Sequence, residues 1–185
     1  MTLTDDELRS RARSVRLVLT DVDGVLTDGG VYVSEKGEEL KRFSLRDGMG
    51  IERLRDAGIQ TAFLTRERSG FATARAAKLR LAHAYLGVLD KAAHLSIVES
   101  DTGIPAAQTA YVGDDVNDVG IMQAILRAGG LTAAPGDAFE TALGAAAFVT
   151  RAAAGHGAFR EFAEWLLRMR GADPLRGSTL GSDAA

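Results

Sequence analysis

The sequence contains no cysteine, only three prolines, three histidines and a single tryptophan among its 185 residues. Without cysteine there is no disulfide scaffold and no thiolate-held metal, and such a composition suits a reducing cytoplasm. No apolar run approaches the ~20 residues that span a bilayer. The N-terminal stretch "MTLTDDELRSRARS" lacks the apolar core of a secretory signal. Nor does either charge dominate: 22 basic residues face 25 acidic ones, for a net charge of −3. The sequence pI of about 5.6 offers no general attraction to nucleic acid or to an anionic membrane. The expectation is a cytoplasmic globular protein of one domain, long enough to bury a core without staples.

What is present alternates. "VRLVLTD" (15–21) is a β-rich run that ends on an aspartate, and "GGVYVSEKGEELKRFSL" (29–45) reads as a hairpin around "SEKGEE". Helices are expected over 47–58, 68–81, 91–103 and 116–129, and strands over 59–65, 83–87 and 109–115. Residues 130–150 add a strand, a helix and a strand, and 157–170 an amphipathic helix. Strands alternating with helices predict an α/β fold with a Rossmann-like, doubly wound parallel sheet, the hairpin being an insertion after the first strand. The domain is expected to cover 1–170. The Gly-, Ser-, Asp- and Pro-containing stretch 171–185 reads as a flexible tail.

Function in such sheets gathers at the carboxyl ends of the strands. There the chain carries Asp21 and Asp23, then Thr65, then Lys91 opening the next expected helix, then Asp114 and Asp115, with Asn117 and Asp118 a turn later. Asp21 and Asp23 are two apart and point the same way on an extended strand, so they resist ionising together. A divalent cation offsets that repulsion, and carboxylate oxygens suit Mg²⁺. Asp21 could then attack phosphorus while Asp23 protonates the leaving alkoxide and later activates water. Thr65 and Lys91 would hold the phosphoryl oxygens. Singly, each feature has a plainer reading. A D-x-D is often a turn or a cap, Thr65 a cap, Lys91 a solvated lysine and "GDDVND" an acidic helix start.

"DVDGVLTDG", the threonine of "AFLT", Lys91 and "VGDDVND" resemble, in order, the four motifs of the haloacid dehalogenase phosphatase superfamily. The resemblance implies Asp21 as nucleophile and Asp23 as acid/base. It also implies Mg²⁺ held by Asp21, the Asp23 backbone carbonyl and Asp114, with Asp118 supporting that shell. The intervals from Asp21 to Thr65 and from Thr65 to Lys91 leave no room for a cap domain. Over roughly 15–170, "DVDGVLTDG", "GEELKRFSLRDGMGI", "AYVGDDVND" and "GAFRE" resemble the 3-deoxy-D-manno-octulosonate 8-phosphate phosphatase family. That family is capless and tetrameric, which implies a homotetramer built through the hairpin, with a neighbour closing each site.

One place departs from that pattern. "TRERSG" puts Arg66 where glycine is usual and Glu67 where a basic residue is usual, and Arg75 and Lys78 follow on the next helix. Glu, Arg and Lys at these positions resemble phosphatases of nine-carbon sugar acids, acting on 2-keto-3-deoxynononate 9-phosphate or N-acylneuraminate 9-phosphate. Arg75 and Lys78 share one helix face and could meet a substrate carboxylate. Glu67 could accept from sugar hydroxyls or orient those cations, and a surface ion-pair set is the plainer reading. Asn117 is a further substrate-binding candidate, and His156 lies in a glycine-rich turn near the last helix. The leading expectation is an Mg²⁺-dependent sugar acid phosphatase, with lipopolysaccharide or sialic-acid-like sugar metabolism as its setting. The alternatives are a phospho-receiver signalling module and a non-catalytic partner of a cytidylyltransferase.

Overall fold

The computed structural model describes residues 3–171; of the expected tail 171–185, only Gly171 lies within them. The chain opens with α1 (Asp5–Ser14), β1 (Leu17–Thr20), β2 (Thr27–Ser34), β3 (Gly37–Phe43), α2 (Leu45–Asp56) and β4 (Gln60–Thr65). It continues with α3 (Gly70–Lys78), β5 (Ala84–Leu86), α4 (Leu95–Thr102), β6 (Thr109–Val112) and α5 (Val116–Ala128). The last elements are β7 (Leu131–Ala134), α6 (Glu140–Ala145), β8 (Phe148–Val149) and α7 (Ala158–Met169).

Six strands form one sheet in the order β5-β4-β1-β6-β7-β8, and every neighbouring pair runs parallel. β1 is buried along its whole length, as expected of a strand covered on both faces. Its side chains alternate between the two layers. Val18 packs with Ile51, Phe63, Phe159 and Phe162 on one face, and Leu17 and Leu19 pack with Leu64, Val98, Ile121 and Ile125 on the other. The chain moves outward from β1 through β4 and β5, then returns to β6 on the opposite side. That reversal falls between β1 and β6, and it is outside the carboxyl ends of the strands at such a switch point that sheets of this kind bind ligands.

The doubly wound sheet and the hairpin after its first strand are as the sequence predicts. Three local differences have physical causes. α1 was not anticipated: it has almost no apolar stripe, and its signal is a capping box in which Thr4 Oγ1 accepts from the Glu7 N–H and Glu7 returns to the Thr4 N–H. The second hairpin strand stops at Phe43 because Ser44 caps α2, accepting from the N–H groups of Arg46 and Asp47. Lys91 does not open a helix. Asp90 accepts from the Ala93 N–H at 2.9 Å, holding a turn ahead of α4, which begins at Leu95. Among the described residues no helix is long and apolar enough to cross a membrane.

Candidate active site

At the end of β1 the Asp21 N–H still donates to the Val112 carbonyl of β6 at 2.9 Å, so the backbone is held as strand up to the reactive position. The chain then makes one tight turn, with the Leu26 and Thr27 N–H groups returning to the Val22 carbonyl. Asp21 is buried. Its Oδ1 accepts from the Val22 N–H at 2.7 Å and its Oδ2 from Lys91 Nζ at 2.5 Å. Burial pushes its carboxyl up; the Lys91 charge opposes this, and the Thr65 hydroxyl helps to a lesser degree. Thr65 itself is buried at the end of β4.

Asp118 is the hub. It is fully buried, and its Oδ1 accepts from Lys91 Nζ and from the Tyr111 hydroxyl, each at 2.6 Å. Its Oδ2 accepts from the Asp114 N–H at 2.8 Å and the Asp115 N–H at 3.3 Å. Four donors fill the four lone-pair directions of a carboxylate. Gly113 makes room for it, since a Cβ there would stand 2.5 Å from the Asp118 Cβ. Asp115 caps α5, accepting from the Val116 N–H at 2.6 Å.

Asp21, Asp114 and Asp118 each bring one oxygen within 4.8 Å of the others. One cation, Lys91, stands among these three acids, bonded to Asp21 and Asp118. Asp114 is accordingly pushed up to about 8, first by burial and then by the charges of Asp21, Asp118 and Asp115. Its carboxylate lies against Gly24, where a Cβ would come within 1.9 Å of Oδ2 and where φ is +77°. An oxygen-only set with surplus negative charge fits a hard divalent cation such as Mg²⁺.

A second polar cluster lies beside the first. Asp23 Oδ1 accepts from Thr27 Oγ1 at 3.1 Å, and its Oδ2 from Lys41 Nζ at 2.8 Å. Lys41 reaches it from β3 of the hairpin and also bonds the Glu67 carboxylate. Glu67 is thereby held well below the usual carboxylate range: the Lys41 and Ser69 N–H bonds outweigh its desolvation. Lys41 was not anticipated, because its partners lie 18 and 26 residues away and only the folded hairpin brings them together.

The other expected residues divide. Arg75 turns inward, its Nη2 donating to the Ser44 carbonyl at 3.0 Å and its guanidinium standing over the Phe43 ring. Lys78 is exposed, and among the described residues it forms no ion pair. Asn117 is half-buried beside Asp118, without a side-chain hydrogen bond to the described residues. Among the described residues, then, Glu67 bonds Lys41 and Thr65 of the site, while Arg75 meets Ser44 and Phe43 and Lys78 forms no ion pair. His156 meets Arg42 of the hairpin at 2.7 Å, and Arg42 also bonds Asp28 and the Gly155 carbonyl. Asp47, likewise unforeseen, accepts from the Gly157 and Arg160 N–H groups and so caps α7 from a distance.

No protein-family model matches the chain. It is 36% identical over 175 residues to the 3-deoxy-D-manno-octulosonate 8-phosphate phosphatase of Escherichia coli, covering 94% of this chain and 91% of that one. The corresponding phosphatase of Yersinia pestis is 37% identical over 174 residues, covering 94% and 90%. Among solved structures, the Moraxella catarrhalis phosphatase in complex with magnesium, phosphate and KDO superposes with a TM-score of 0.81 at 31% identity, over 90% of this chain and 93% of that one. A cobalt-bound deoxy-D-mannose-octulosonate 8-phosphate phosphatase from Haemophilus influenzae gives a TM-score of 0.81 at 37% identity, over 87% and 92%.

Proposed function

Since the chain belongs to the 3-deoxy-D-manno-octulosonate 8-phosphate phosphatase family of the haloacid dehalogenase superfamily, we propose that it hydrolyses a 3-deoxy sugar acid phosphate, KDO 8-phosphate first, outside the carboxyl ends of β1 and β6. The observation that carries this is the buried Asp21–Lys91–Asp118 chain beside Asp114.

The carboxylates of Asp21 and Asp114 and the backbone carbonyl of Asp23 would hold the metal. Asp118, already saturated by four donors, would fix Lys91 and the Asp114 backbone. When bound, Mg²⁺ supplies positive charge that keeps Asp21 ionised and draws electron density from the phosphoryl oxygens. Asp21 attacks phosphorus and forms a P–O bond as the ester P–O bond breaks. The departing alkoxide takes the proton of Asp23, leaving an aspartyl-phosphate and a free alcohol. Asp23, now ionised, takes a proton from water, whose oxygen attacks phosphorus and frees Asp21 and inorganic phosphate. Lys91 and Thr65 stabilise the charge on the transferring oxygens.

The assembly we propose is a homotetramer built through the hairpin. Tyr32 and Leu40 pair across its two strands and are 69% and 63% exposed, and Val33 is 67% exposed; apolar side chains left in solvent in this way support an association surface. In that assembly Lys78, without an ion pair among the described residues, reads the substrate carboxylate together with Arg75, which also donates to the Ser44 carbonyl at the start of α2. The receiver and the non-catalytic readings find no support in the geometry or in the relatives.

Phosphate release from KDO 8-phosphate and from a nine-carbon sugar acid 9-phosphate, measured side by side in Mg²⁺, tests the reading. The expected result is the higher kcat/KM on the eight-carbon ester. A reversed order would assign the nine-carbon acids, and release from neither would overturn the reading.

A further inference from the structure

We infer that Lys41 is a positioning residue, by which the hairpin locks the acid/base carboxylate of Asp23 in place and ties it to the Thr65 loop. This rests on the phosphatase reading above and deepens it. The Asp23 side chain is 35% exposed and would swing freely in water, whereas that of Lys41 is only 7% exposed. Thr27 holds one Asp23 oxygen and Lys41 the other. Lys41 is in turn held by Glu67. Glu67 is fixed at both ends of its own residue: its Oε1 accepts from the Ser69 N–H at 2.7 Å, and its N–H donates to Thr65 Oγ1 at 3.1 Å. A continuous path therefore runs from the phosphate-facing Thr65 through Glu67 and Lys41 to Asp23.

Lys41 is assigned to positioning rather than to substrate binding because of its donor count. An ammonium has three N–H donors. Two are taken by the carboxylates of Asp23 and Glu67, and the Glu38 carboxylate, 3.7 Å away and outside hydrogen-bond reach, adds a third negative charge beside the ammonium. Ordering a long, rotamer-rich side chain is costly, and charge-assisted bonds to two carboxylates offset that cost.

The test exploits leaving groups. An alkoxide needs the proton of Asp23 as the ester bond breaks, whereas p-nitrophenolate departs without it. With enzyme in saturating excess, single-turnover cleavage reads the first step alone. Lys41→Met should slow cleavage of KDO 8-phosphate by about tenfold or more, a fraction of what general acid catalysis is worth. It should slow cleavage of p-nitrophenyl phosphate less than about threefold, and Lys41→Arg should recover most of the lost rate. Equal losses on the two esters, or an Arg variant no better than Met, would overturn the proposal. A weaker grip on KDO 8-phosphate at an unchanged saturated rate would also overturn it. Should Lys41→Met lose its fold, Glu67→Gln reads the same contrast, since it removes the charge that holds Lys41 from the far side. An unchanged ratio of the two rates there defeats the proposal. Wild-type enzyme that cleaved neither ester would instead count against the phosphatase reading.

Discussion

The strand-end site and the hairpin are built on opposite terms. In the site, buried charge is satisfied from within the subunit: Asp118 has four donors, and Lys91 has two carboxylates. The hairpin buries only Thr27 along β2, and it presents Tyr32, Val33 and Leu40 to solvent. What joins them is a thin polar seam, Thr27 and Lys41 of the hairpin to Asp23, and Lys41 to Glu67. The contrast teaches that the buried acids and lysine are ordered from within the chain, whereas the hairpin leaves apolar side chains in solvent.

The largest effect expected falls on the nucleophile. Asp21→Asn keeps the shape but removes nucleophilicity, so turnover of any phosphate ester should fall by at least ~10³-fold with the fold retained. Next is the hub. Asp118→Ala strips Lys91, the Tyr111 hydroxyl and two N–H groups of their acceptor, and should cost about 3 kcal/mol or more in urea unfolding. A loss below about 1 kcal/mol would mean that the site is not satisfied as described.

Charge in the site should also be visible without turnover. Asp114 is raised from its ordinary 3.8 to about 8, first by burial and then by Asp21, Asp118 and Asp115. The folded chain then holds a proton that the unfolded chain has released, so metal-free stability should fall as pH rises from about 4 to about 8. Asp21, raised in the same direction, adds to that slope. Mg²⁺ at a fixed concentration, about 100 times its dissociation constant at pH 8, should raise Tm there by roughly 5–10 °C and by less at pH 6, where a protonated Asp114 weakens binding. Identical melting curves with Mg²⁺ and with chelator at pH 8 would contradict the metal assignment.

The smallest effect on the subunit belongs to the hairpin. Tyr32→Asp with Leu40→Asp should change subunit stability by no more than about 0.5 kcal/mol, as exposed positions do. The same pair should dissociate the assembly in light scattering. A tetramer that persists would place its interface elsewhere.

Much of this was legible in the sequence, for a physical reason. Buried parallel strands read as apolar runs, and Asp21, Thr65 and Asp114 lie at or just beyond the ends of such runs, so the topology alone brings them together. Lys91 was legible as a residue but not as a turn, because the Asp90 cap that delays α4 is a local hydrogen bond without an apolar signature. Lys41 and Asp47 were not legible. Each acts on partners distant in sequence, and in the linear chain they are an ordinary strand lysine and an ordinary helix aspartate. Arg75 is a candidate for the substrate carboxylate, at its own site or a neighbour's; the contacts it makes with the Phe43 ring and the Ser44 carbonyl could not be read from the sequence. A three-residue spacing fixes a shared helix face, not what that face meets.

The most direct measurement is mass spectrometry of enzyme quenched in acid during steady turnover of KDO 8-phosphate with Mg²⁺. The account predicts one phosphate on Asp21, absent from Asp21→Asn and lost once substrate is consumed. Steady turnover with phosphate on another residue, or with no phosphoenzyme at all, would contradict it.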